Sequence, residues 1–103
     1  MRAQGPPLPE ESLTVPEIKI KIKNKVGLHA RPASLFVQTA AGFKSDITVH
    51  HRGASANAKS ILHVLSLGVS EGSEITIRAE GEDADQALKA LEDLNAEEFG
   101  LQA

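Results

Sequence analysis

A chain of 103 residues, 41% hydrophobic and 24% charged, is one domain's worth of ordinary globular composition, too short to bury both a core and a deep enclosed pocket. Its net charge of −3, counting His as neutral, excludes a general nucleic-acid binder, which needs a basic field. With no Cys there is no disulfide framework, thiolate zinc site or thiol nucleophile, and no apolar run reaches the ~20 residues that span a bilayer. Aromatics are scarce, with no Trp or Tyr, so the core must be Ile, Leu, Val and Ala and the chemistry is expected at the surface. The N-terminus lacks the apolar stretch of a signal peptide, which makes cytoplasmic residence the expectation.

Residues 1–16, MRAQGPPLPEESLTVP, hold four of the five prolines and little hydrophobic periodicity. They read as a flexible Pro-rich tail, with a folded domain over 17–103. Ile18, Ile20 and Ile22 alternate with Lys19, Lys21 and Lys23, the pattern of a half-buried strand. A loop follows over 24–28, punctuated by Gly27. Ala33, Phe36, Val37 and Ala40 then recur at helical spacing. Pro32 fits only the first turn of that helix, so the helix starts at about Ala30, directly after His29. Gly42 is its expected stop, in the manner of a C-terminal glycine cap.

Ile47 and Val49 mark a second strand, and Arg52-Gly53 a turn into a short third strand around Ala54–Ala56. Ile61, Leu62, Val64 and Leu65 predict a short helix from Ser60 to Gly68. After Gly72, Ile75, Ile77 and Ala79 alternate with Thr76 and Arg78 as a fourth strand. Asp83 and Gln86 have the spacing of a capping box, and Ala84, Ala87, Leu88, Leu91 and Leu94 form the stripe of a last helix. The order is βαββαβα, an α+β arrangement in which one sheet face carries helices and the other meets water.

The stretch Gly27-Leu28-His29-Ala30-Arg31-Pro32 carries the chemistry. Free backbone N–H groups and the positive end of the helix dipole gather where His29 falls, a position that favours a bound phosphate. Arg31 can add a charge-assisted contact to phosphate oxygens. A neutral imidazole is the form that attacks phosphorus. Taken by itself, a His at a helix start also fits a plain capping or surface residue.

The segment GLHARPASLFVQTA resembles the active-site signature of the HPr family, the histidine-containing phosphocarriers of the bacterial phosphoenolpyruvate-dependent sugar phosphotransferase system. Lys59-Ser60-Ile61-Leu62 through Val64-Leu65-Ser66-Leu67-Gly68-Val69 resembles its second motif, and GSEITIRAEGEDADQALKALEDL its last strand and helix. The resemblance covers about residues 17–100. It implies an open-faced β-sandwich, a four-stranded antiparallel sheet covered on one face by three helices. It implies that His29 is phosphorylated on Nδ1 by phospho-enzyme I, with phosphoenolpyruvate the ultimate donor, and passes the group to enzyme IIA components. Arg31 takes the position of the phosphate-assisting arginine. Ser60 takes that of the serine an ATP-dependent HPr kinase/phosphorylase modifies as a brake. Ala30, Ser34, Leu62 and Leu65 are the expected partner contacts. The chain would then be a monomeric carrier with no cofactor and no turnover of its own. Two features depart from the family pattern: His63, where many members carry Gly or Lys, and the N-terminal extension.

Three rivals can be weighed. A metal module is disfavoured because His50 and His51 are adjacent on a strand and point to opposite faces, so they do not easily share one site, and no H-x-x-H or carboxylate cluster with ligand spacing appears. A small phosphatase would need a general acid and a pocket that the sequence does not signal. Carriers of the nitrogen-type or dihydroxyacetone-kinase-linked branches share the His29 motif, and the Ser60 block favours the sugar branch over them.

Overall fold

The computed structural model describes residues 15–23 and 27–97. The tail expected over 1–16 lies outside the described residues as far as residue 14, and residues 24–26 of the predicted loop lie outside them too. Seven elements follow in the expected order: β1 (Glu17–Lys21), α1 (Ala30–Ala41), β2 (Asp46–His51), β3 (Ala54–Asn57), α2 (Ile61–Ser66), β4 (Glu74–Glu80) and α3 (Ala84–Ala96). The strands form one antiparallel sheet in the order β1-β4-β2-β3.

Alternation divides the sheet into two faces. Ile20, Ile47, Val49, Ala56, Ile75, Ile77 and Ala79 are buried beneath the helices. Lys19, Lys21, Thr48, His50, Thr76 and Arg78 lie on the other face, exposed or half-buried. The helices close the core with Ala33, Phe36 and Ala40 of α1, Val64 of α2, and Ala84, Ala87, Leu88 and Leu91 of α3. Phe36, fully buried, is the largest side chain in it, and its removal from water is worth about 2 kcal/mol. Between β2 and β3, Arg52 (φ 51°) and Gly53 (φ 82°) both adopt the left-handed conformation, as a two-residue hairpin requires.

Two local readings are corrected. Gly42 does end α1, but with φ −74° it is not a left-handed cap. Its N–H donates to the carbonyl of Thr39 at 3.1 Å and that of Phe43 to Ala40 at 3.2 Å, so the last turn closes by tightening.

The second correction concerns Asp83. It is the N-cap residue of α3, yet its side chain makes no capping bond and there is no box with Gln86. Its carboxylate instead accepts from the N–H groups of Lys44 (2.8 Å) and Ser45 (2.9 Å) and from the Ser45 hydroxyl. Three donors at the entry to β2 outbid one helix N–H. Gly81 permits this approach, because a Cβ there would lie 2.5 Å from the Ser45 hydroxyl oxygen.

The Ser45 hydroxyl, then the Lys44 amide, hold the Asp83 carboxyl below its ordinary value. A carboxyl depressed in the folded state contributes stability above its unfolded value and loses it as pH falls through the folded one. Asp83→Asn is therefore expected to unfold at lower urea than wild type at about pH 7, with the gap narrower at about pH 2. Urea midpoints at the two pH values check this, and a gap undiminished in acid refutes the assignment.

Candidate functional site

The site begins one turn ahead of α1. Gly27 has φ +63°, and a Cβ there would lie 2.3 Å from the Val69 carbonyl oxygen. Glycine lets this loop press against the chain leaving α2. Leu28 is buried, and its N–H donates to that same Val69 carbonyl at 3.0 Å. The loop is thus fastened to the chain leaving α2 by this bond, immediately before His29.

His29 is the N-cap residue of α1, in extended conformation (φ −84°, ψ −171°). Its carbonyl accepts from Ala33 N–H at 2.8 Å, closing the first turn. Its side chain makes no capping hydrogen bond, so the imidazole is not spent on the helix and stands exposed. No acidic side chain occupies the first turn to neutralise the positive end of the dipole. Pro32 is buried at the third helical position, where its missing N–H costs nothing. Ala30 and Arg31 are exposed, and Ser34 is half-buried with its hydroxyl accepting from Gln38 Nε2 at 3.1 Å.

A shallow cleft of about 320 Å³ opens beside the imidazole, lined by Leu28, His29, Ala30, Leu65, Gly68, Val69 and Ser70. None of these is a carboxylate, so apart from the His29 imidazole itself the cleft walls offer no acid or base for hydrolysis.

Of the residues singled out by sequence, the fold brings His29, Ala30 and Leu65 to this one cleft. Ser60 and Leu62 do not line it. Ser60 is the N-cap of α2, its hydroxyl accepting from His63 N–H at 3.4 Å. Leu62 is 76% exposed, whereas Leu65 is half-buried and packs on the core. Sequence reasoning missed Ile61, which is also exposed, and the wall formed by Gly68, Val69 and Ser70. The first was signalled by a six-residue helix apolar on too many sides to be wholly buried. Gly68 and Val69 fall in the stretch that resembles the second motif, but their place beside His29 had no local signal, since the contacts span some forty positions of chain.

The remaining histidines lie apart. His50 is half-buried on the outer sheet face and His51 is buried on the inner one. His63 is exposed and lines a separate cleft with Asp46, Asn57 and Lys59. Among the described residues no three His, Cys, Asp or Glu side chains converge as metal ligands, and no helix is long and apolar enough to cross a membrane.

Comparison with known proteins agrees with the fold. The family model described as the PTS HPr component phosphorylation site matches residues 16–97. The chain is similar to HPr of Thermoanaerobacter tengcongensis at 52% identity and a TM-score of 0.82, over 85% of this chain and 99% of that one. It is similar to HPr of Bacillus anthracis at 46% identity and a TM-score of 0.73, over 76% and 93%. It is also similar to Crh, the catabolite repression protein of Bacillus subtilis solved as a swapped dimer, at 47% identity and a TM-score of 0.65, over 77% and 91%.

Proposed function

The chain belongs to the HPr family of phosphocarriers, and on that premise we propose that His29 takes a phosphoryl group from phospho-enzyme I and gives it to enzyme IIA proteins of the sugar phosphotransferase system. The observation that carries this reading is the exposed His29 imidazole, free of capping duty at the start of a twelve-residue helix. Its Nδ1 lone pair forms a bond to phosphorus as the phosphorus–nitrogen bond on the donor histidine breaks. The reverse exchange with the acceptor regenerates neutral imidazole. The dianionic group gains the helix terminus as a partner and Arg31 as a mobile cation two residues on.

A carrier has to keep the group until its acceptor docks, and a cleft without a carboxylate suits that better than it suits a hydrolase. The phosphocarrier domain is assigned to residues 17–103, and cytoplasmic residence goes with the role. Ala30, Ser34, Leu62 and Leu65 are its partner contacts, with exposed Leu62 and Ile61 as the apolar anchor. The working form is a monomer, because the patch must be bared and released in each cycle.

The test is incubation of the full chain with enzyme I and phosphoenolpyruvate, read by ³¹P NMR. One phosphoryl group per chain, stable in base and labile in acid, is the expected result. A chain that stays unmodified with active enzyme I overturns the sugar-branch reading. Loading by a nitrogen-type enzyme I or the dihydroxyacetone-kinase donor instead would reassign the branch.

Ser60 is proposed as the site of an HPr kinase/phosphorylase brake. A phosphoryl group there adds a charge of about −1.5 to −2 beside the apolar anchor. Ser60→Asp keeps an N-cap acceptor, so the melting temperature should hold, while the KM of enzyme I for the carrier rises about tenfold. Steady-state loading kinetics check this; an unchanged KM would remove Ser60 from the docking patch.

A further inference from the structure

The geometry points to His51 as the positioning residue that holds the wall of the His29 cleft, an inference that rests on His29 being the phosphoacceptor. His51 ends β2 on the inner face of the sheet and is 7% exposed. A ring so buried needs a partner for its polar atoms. Its Nδ1 lies 3.1 Å from the carbonyl oxygen of Leu67. A carbonyl can only accept, so the ring carries its proton on Nδ1 and donates it there.

Leu67 is the C-cap of α2, and carbonyls at a helix end have no partner within the helix. Gly68, at φ +64°, turns the chain out of the helix. The next residue, Val69, is buried and accepts the Leu28 N–H at 3.0 Å. Leu28 immediately precedes His29. A short run of bonded groups therefore joins the His51 ring to the Leu67 carbonyl, through Gly68 and Val69, to the peptide that orients His29. Gly68, Val69 and Ser70 are at the same time the cleft wall facing that imidazole. His51 does not line the cleft itself and acts only through this segment.

The consequence is kinetic. Reacting groups held even about 1 Å out of place can lose up to about a hundredfold in rate. Without the Nδ1–H the Leu67 carbonyl is left unpaired and the segment shifts, whereas Leu62 stays exposed for docking. The defect should fall on kcat rather than on KM.

The experiment compares loading by phospho-enzyme I of wild type, His51→Leu and His51→Asn. The Asn side-chain amide can donate from nearly the place of Nδ1. His51→Leu is expected to lower kcat about tenfold with KM within about twofold, and His51→Asn to recover most of the loss. A folded His51→Leu with wild-type kcat overturns the inference, as does a defect confined to KM or one that Asn does not rescue. Should His51→Leu fail to fold, wild type decides the matter alone. The ring ¹⁵N signals of His51 and the carbonyl ¹³C signal of Leu67 are recorded before and after phosphoryl loading. Both are expected to move, and static signals refute the coupling. Wild type that cannot be loaded at all sinks the phosphoacceptor assignment instead, and this role falls with it.

Discussion

His29→Ala is expected to bring phosphoryl uptake from phospho-enzyme I below about 1% of wild type while leaving the fold in place. Alanine has no lone pair to bond phosphorus, and the cleft walls contain no second nitrogen nucleophile. The stability half of the prediction follows from the same geometry. The imidazole makes no capping bond and is exposed, so its loss removes neither a helix cap nor buried surface. Surface changes of this kind stay within about 0.5 kcal/mol, or about 4 °C in Tm. Loading assays beside a thermal melt check both halves. A variant that melts normally and still carries phosphate on nitrogen would move the acceptor to His50, His51 or His63, and peptide mass spectrometry would identify which.

Gly27→Val should produce the largest loss of stability of any single change near the site. A β-branched residue at φ +63° is strained by about 1–2 kcal/mol before any contact is considered. Its Cβ would also lie 2.3 Å from the Val69 carbonyl oxygen and 2.5 Å from the Ser70 Cα. Both are backbone atoms, which cannot swing aside as a side chain can. The loop must lift away, breaking the bond from Leu28 N–H to Val69 and drawing buried Leu28 toward water. Together these cost about 3–5 kcal/mol, a large share of a small domain's total, and lower Tm by about 15–30 °C. Residual folded protein at low temperature should also load slowly, since His29 has lost its footing. A calorimetric or circular-dichroism melt displaced by only a few degrees would show that the loop is not clamped as described.

These two positions lie two residues apart in the same short motif but were legible to different degrees. The strand alternation at Ile18–Ile22 and Ile75–Ala79, the helical spacing from Ala33 to Ala40, and Pro32 in a first turn all depend on neighbours within a few residues. The placement of His29 at a helix start follows from that local pattern, which is why the anion-favouring position could be read before any fold was in hand. The turn at Arg52-Gly53 was equally local.

Where a partner came from elsewhere in the chain, local reading went astray or stopped. The spacing of Asp83 and Gln86 is that of a capping box, yet the carboxylate serves Lys44 and Ser45, 39 and 38 positions away. Leu62 and Leu65 look equivalent in a helical stripe, but one is open to water and the other leans on the core. The reason Gly27 must be glycine lies in Val69 and Ser70, and the partner of His51 is the carbonyl of Leu67.

The chain's own pattern therefore determines the kind and order of the seven elements among the described residues, because hydrogen bonds within a helix and the in-and-out alternation of a strand are satisfied by near neighbours. Only the folded molecule decides which buried or terminal polar group meets which partner. Those partners are brought together by closure of the core, and whichever donor then lies nearest an unpaired acceptor takes it, whatever the local motif would have preferred.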